Sequence, residues 1–126
     1  MGATPITNSA STVTFKTLMA LKTRNCILFS PHSGAAGVNA KVCRLLAEAA
    51  VEAGAPPYCI GWIDEPTPEL SVMAAHHPSV TLVLATGGPG MRQAVNTTEK
   101  TTIRLGACNT PAVFHESTDI PSAVQR

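Results

Sequence analysis

Short apolar runs alternate along this chain with longer stretches whose apolar residues recur at helical spacing, a pattern that predicts strands and helices in turn. Ser11 to Leu21 carries Phe15, Leu18 and Met19 at that spacing and predicts a first helix. Asn25 to Ser30 (NCILFS) is a continuous apolar run, as in a strand covered on both faces, and it stops at the breaker-rich turn Ser30-Pro31-His32-Ser33-Gly34. Gly37 to Ala53 predicts the longest helix, with Val38, Val42, Leu45, Leu46, Ala49 and Ala53 on one face and Gly54 at the C-terminal cap. Tyr58 to Ile63 predicts a second strand. Thr67-Pro68-Glu69 then supplies an N-cap, a proline at the first helical position and an early acid, and the helix carrying Leu70, Met73 and Ala74 ends before Pro78. Val80 to Ala85 predicts a third strand running into Thr86-Gly87-Gly88-Pro89-Gly90 and a short helix over Met91 to Val95. Thr101–Leu105 and Pro111–His115 predict two more strands, and an amphipathic piece begins near Asp119.

Strand, glycine turn, helix, strand is the order of a doubly wound α/β sheet, mostly parallel with flanking helices. Ligands of such sheets lie beyond the carboxyl ends of the strands. No internal repeat or linker divides residues 1–126, so one domain is expected.

Charge changes the picture more than length does. Charged residues make up only 13% of the chain, about half the usual share, and hydrophobic residues 44%. The net charge of +1 argues against nucleic acid as a partner, since that needs a clustered basic face. No apolar run reaches the ~18 residues of a membrane span, and Met1-Gly2-Ala3-Thr4-Pro5 does not resemble a secretory leader. A soluble, cytoplasmic unit with apolar surface meant to be covered by another chain or copy is expected. Cys26, Cys43, Cys59 and Cys108 show no metal-ligand spacing with one another or with His32, His76, His77 and His115, so no metal is expected and buried packing roles are.

Two turns stand where a ligand of this architecture would sit. Thr86 to Gly90 is either an ordinary strand–helix turn or a place where small residues and free N–H groups let a phosphate approach; it is neither a Walker loop nor a G-x-G-x-x-G motif. Ser30-Pro31-His32 is either a turn with an exposed histidine or a hydroxyl and imidazole placed for a nucleotide. His76-His77 reads as a solvated helix end, Glu65 and Glu69 as capping acids, and Cys108 as either an inert small residue or a reactive thiol without a nearby base.

Several longer segments carry a resemblance. FKTLMALKTRN (Phe15–Asn25), FSPH (Phe29–His32), EAAV with AGAP (Glu48–Val51 and Ala53–Pro56), IGWIDEP (Ile60–Pro66), LVLATGGPG (Leu82–Gly90) and NTP (Asn109–Pro111) are similar to the CoA-acylating aldehyde dehydrogenases, and most of all to the aldehyde dehydrogenase half of the bifunctional aldehyde–alcohol dehydrogenases. The resemblance runs from about Pro5 to Ala123. It implies a Rossmann-like coenzyme-binding fold and a reaction in which an aldehyde, CoA and NAD+ give acyl-CoA and NADH through a cysteine thioester. By that resemblance Ser30, Pro31 and His32 meet the adenosine side of NAD. Thr86, Gly87, Gly88 and Gly90 meet its pyrophosphate, and Gly106, Ala107 and Asn109 lie near its nicotinamide. Asn8 supplies an oxyanion-hole amide.

The resemblance also marks departures. The family's nucleophilic cysteine lies beyond Arg126, and none of the four cysteines here matches it, so no turnover is expected from these residues alone. Leu105 stands where non-acylating relatives carry a glutamate. The central strand that precedes Thr4 in the family is expected to be missing, leaving a partial NAD-binding domain. Ser33-Gly34-Ala35-Ala36-Gly37 replaces a proline and basic residues, Ser9 a proline, and Cys108 a glycine; Thr98 to Thr102 departs from a glycine-and-lysine turn. A non-catalytic binding or oligomerisation module derived from the same fold is the alternative.

Overall fold

A computed structural model describes residues 1–88, 97–105 and 113–124. In chain order the elements are β1 (Gly2–Thr4), α1 (Ser9–Lys22), β2 (Ile27–Pro31), a 3-10 turn (Ser33–Ala35), α2 (Ala36–Glu52), β3 (Ile60–Trp62), α3 (Pro68–His76), β4 (Leu82–Thr86), β5 (Thr101–Leu105) and α4 (Ile120–Val124). The five strands form one sheet in the order β3-β2-β1-β4-β5, and every pair is parallel. The α/β doubly wound expectation holds.

The central strand is present, which corrects the expectation that it is missing. Gly2–Thr4 fills the middle of the sheet, with Gly2 opposite Phe29 on one side and Leu84 on the other. It escapes sequence reading because Gly-Ala-Thr has no bulky apolar alternation. Packing demands small residues here: a Cβ on Gly2 would lie 3.0 Å from the Phe29 ring. The fully buried Phe29 uses that space, and its burial contributes roughly 1.5–3 kcal/mol.

The two long helices form where expected but turn different faces to the sheet. α1 buries Ser9, Thr12, Val13, Lys16, Thr17 and Ala20, while Phe15 and Leu18 remain 57% and 59% exposed. α2 buries Asn39, Cys43 and Ala50, with Val42, Leu46 and Ala47 half-buried beside them and Val38, Leu45, Ala49 and Ala53 outside. Spacing alone marks a helix; it does not say which stripe meets a sheet whose middle strand is made of small residues. Gly54 follows α2 with φ +94°, and Ala55 N–H donates to Ala50 O at 2.9 Å, so the glycine cap stands as expected. The N-cap of α3 also holds: Leu70 N–H donates to Thr67 Oγ1 at 3.1 Å. Glu69 lies in that first turn, and its own backbone N–H and the Thr67 hydroxyl hold its carboxyl below the usual value.

Two further expectations change. Val113 to His115 carries no strand, and Val113 is 94% exposed among the described residues. Tyr58 precedes β3 in a left-handed turn with φ 65°, so β3 is shorter than expected. The helix expected over Met91–Val95, together with Pro111 and Ala112, lies outside the described residues. Among the described residues no helix is long and apolar enough to cross a membrane.

Candidate functional site

The sheet order places β1 and β4 side by side at the point where the winding reverses, and the crevice outside their carboxyl ends is the expected ligand position. β1 delivers the loop leading to Asn8, β2 delivers Pro31 and His32, and β4 delivers Thr86, Gly87 and Gly88. Three of the stretches singled out in the sequence therefore converge on one edge of the sheet. Gly90, Gly106, Ala107, Asn109 and Cys108 lie outside the described residues.

Asn8 ends the loop as the N-cap residue of α1, and its carbonyl accepts from Thr12 N–H at 3.1 Å and from the Ser11 and Thr12 hydroxyls. Its side-chain oxygen accepts from Thr12 Oγ1 at 3.4 Å, while its amide Nδ2 has no partner among the described residues. Asn8 is exposed, so that amide is free to donate to a ligand. Thr86 presents the reverse case: its Oγ1 is buried and has no hydrogen-bond partner among the described residues. Such a group costs free energy unless something satisfies it. At Gly88 a Cβ would meet no atom within 4 Å, so the space beside the backbone is open.

The β2 turn is more internal than its sequence suggests. Ser30 is fully buried and its hydroxyl pairs with Ser71 Oγ at 2.6 Å, which ties β2 to α3 and turns the hydroxyl away from solvent. Pro31 is buried too. His32 is exposed, and its Nδ1 accepts from Gly34 N–H at 3.1 Å, which assigns the ring proton to Nε2 and leaves that N–H facing outward.

Two side chains that the sequence did not single out frame the crevice. Lys16, 2% exposed on α1, donates from Nζ to Ala3 O at 2.6 Å and to Leu84 O at 2.7 Å, spanning the two switch-point strands. Burial lowers its pKa to about 8. Asn39 on α2, fully buried, reaches Thr4, Ser9 and Ala35. Neither had a distinctive sequence signal, since α1 and α2 carry several other polar residues.

No described cysteine reaches this edge. Cys26 and Cys59 lie just before β2 and β3, at the opposite end of the sheet, where Ile27 N–H donates to Cys59 O at 2.9 Å. Cys43 is buried in the α1–α2 core, where desolvation pushes its thiol up to about 12. That edge also carries a cleft of about 890 Å³, lined by Cys26, Tyr58, Leu70, Met73, Val80 and others, away from the convergent polar groups. Among the described residues no group of three His, Cys, Asp or Glu side chains can hold a metal.

Comparison with known proteins agrees with the fold. The bifunctional aldehyde-alcohol dehydrogenase AdhE of Escherichia coli K12 is 50% identical over 123 residues, covering 98% of this chain and 14% of that protein. An acetylating aldehyde dehydrogenase from Geobacillus thermoglucosidasius superposes with a TM-score of 0.84 at 44% identity, over 98% of this chain and 27% of that one. An engineered glycolyl-CoA reductase with bound NADP+ superposes with a TM-score of 0.79 at 32% identity, over 97% of this chain and 28% of that one. The chain thus spans between about a seventh and just over a quarter of the lengths of these relatives. Residues 4–126 match the description of the aldehyde dehydrogenase family, and the chain belongs to that family.

Proposed function

We propose that this chain is the NAD(H)-holding portion of a CoA-acylating aldehyde dehydrogenase. What supports this reading is that β1 and β4 are adjacent in the sheet and lead, beyond their carboxyl ends, to the free Asn8 amide on one side and to the unpartnered Thr86 hydroxyl and the open backbone at Gly88 on the other. These groups fit a dinucleotide: Thr86 Oγ1 supplies a missing hydrogen bond to a phosphate oxygen, Gly87 and Gly88 admit the pyrophosphate close to the backbone, and the Nε2–H of the exposed His32 meets the adenosine side, with the buried Pro31 stiffening the turn that presents it. Ser30 acts by fixing that turn through Ser71. Gly90, Gly106, Ala107 and Asn109 complete the reading by resemblance. NAD+ held at Thr86, Gly87, Gly88 and His32 would supply a hydride acceptor, and Asn8 Nδ2 would donate to the substrate oxygen that bears the developing charge. The nucleophilic sulfur comes from outside this stretch, so these residues bind and orient without turning over on their own. The setting is cytoplasmic.

Calorimetric titration of the purified chain with NAD+, NADH and CoA tests the reading. Micromolar binding of NADH is expected, and Gly88→Trp abolishes it while leaving the fold intact, because that side chain enters open space. Aldehyde-dependent NADH production by the chain alone would overturn the non-catalytic part of the proposal. The exposed Phe15, Leu18 and Ile103 favour a second reading, an assembly module that pairs with its own copy or another chain. Silence toward all three ligands with a concentration-dependent dimer would select it.

A further inference from the structure

A closed circuit of hydrogen bonds lies at the carboxyl ends of β1 and β2. His32 N–H donates to Thr4 O at 3.1 Å, and Ala35 N–H to His32 O at 2.9 Å. Asn39 Nδ2 donates to Ala35 O at 3.1 Å, and Thr4 Oγ1 returns the circuit to Asn39 Oδ1 at 2.9 Å. The second Nδ2 hydrogen goes to Ser9 Oγ, in the residue after Asn8. Thr4, Ser9 and Asn39 are all buried. Asn39 thus uses both donors and its acceptor, on three segments that each end at the candidate site: β1, the start of α1 and the turn after β2. A contact above the circuit joins the same segments, since a Cβ on Gly34 would lie 2.6 Å from Ile6 Cδ1.

An asparagine inside a helix forgoes helix propensity, and on a buried face it forgoes the packing a leucine would provide. A group that only had to be satisfied needs one or two local partners; this one spans three elements. We propose that Asn39 is a positioning residue that fixes the separation between the Asn8 loop and the His32 turn at the carboxyl edge of β1 and β2. The link to coenzyme rests on the functional reading above; the positioning itself does not.

Two variants test it. Asn39→Asp keeps the shape and the acceptor but removes both donors and sets a carboxylate against Ala35 O. Asn39→Leu keeps the branching of the side chain and removes every polar link and any charge, so it guards against a charged variant that fails to fold. Amide hydrogen exchange is followed by NMR on the full chain, with NADH titration alongside. The expected result is exchange about tenfold faster or more at Thr12, His32 and Ala35, whose N–H groups lie in or beside the circuit, with Ile27 and Ile63 at the β2–β3 pair unchanged. NADH affinity should fall in parallel. Unchanged exchange at those three amides, or acceleration spread evenly to Ile27 and Ile63, would overturn the positioning role. If the unmodified chain does not bind NADH, the coenzyme reading fails, and the exchange pattern still decides whether Asn39 positions the two loops.

Discussion

The two halves of the sheet are built on different terms. β1, β2 and β3 lie under α1 and α2, where Val13, Phe29, Cys43 and Ile60 belong to one continuous buried cluster. β4 and β5 have a much smaller one, Val83 and Ala85 against Ala75 of α3 with Met1 and Val80 at its margin. On the other face Leu82, Leu84 and Ile103 are partly or largely exposed. Both halves contribute backbone to the crevice, yet only one is rigidly supported. The loops at Asn8 and His32 therefore stand on packed ground, while Thr86–Gly88 depends on a strand pair joined to the rest through β1 and Lys16.

Breaking the packed half should have the largest effect. Phe29→Ala removes a fully buried ring lying against Gly2 and is expected to cost about 3–5 kcal/mol by denaturant titration, a large part of what a small domain possesses. Val83→Ala, in the smaller cluster, should cost about 2 kcal/mol. Native-state hydrogen exchange sharpens the contrast: the first variant should accelerate amides throughout β2 and α2, the second mainly those of β4 and β5. Equal losses with identical exchange patterns would mean the halves unfold as one unit and the contrast carries no energetic weight.

Lys16 supplies the link between the halves, and pH reads it. Its ammonium is buried without a carboxylate partner among the described residues. The α-amino group of Met1 is itself lowered by burial, by Lys16 and by Lys100. The folded pKa of about 8 lies below the ordinary 10.5, so between these values the unfolded chain holds the proton more tightly and stability rises with pH. The rise should reach at most about 3 kcal/mol and be absent below pH 8. Lys16→Met should flatten it, so the difference between the two proteins isolates this amine from the other lysines. Parallel stability curves for the two proteins would show that the amine is not desolvated in the folded state.

The same contrast explains which features could be read from sequence. β2 and β4 announce themselves by apolar runs, β5 by its β-branched Thr101, Thr102 and Ile103, and α3 by Thr67 and Pro68, because local composition and local structure agree there. β1 does not, because its requirement is negative: residues small enough to lie beside Phe29. Asn39 and Lys16 do not either, because their partners, Thr4, Ser9 and Leu84, come together only when the strands are ordered. At the candidate site, the turns at His32 and Thr86 were legible from their breakers. That Ser30 faces Ser71 rather than solvent was not, since it depends on where α3 lands.

The smallest expected effect belongs to the uncovered face of β5. Ile103 lies opposite Leu84 in the register of a strand at the edge of the described sheet and is 53% exposed. Ile103→Thr keeps the β-branched shape suited to a strand and removes apolar surface from water. In the isolated chain at low concentration it should change stability by no more than about 0.5 kcal/mol. At high concentration the outcome divides the two functional readings. If this face pairs copies of the chain, the substitution should raise the dimer dissociation constant, as measured by sedimentation. If it is covered only by other parts of a larger enzyme, sedimentation should show monomer with and without it. A loss above about 1.5 kcal/mol at low concentration would sink the contrast itself, because it would mean that β5 is as firmly packed as β2.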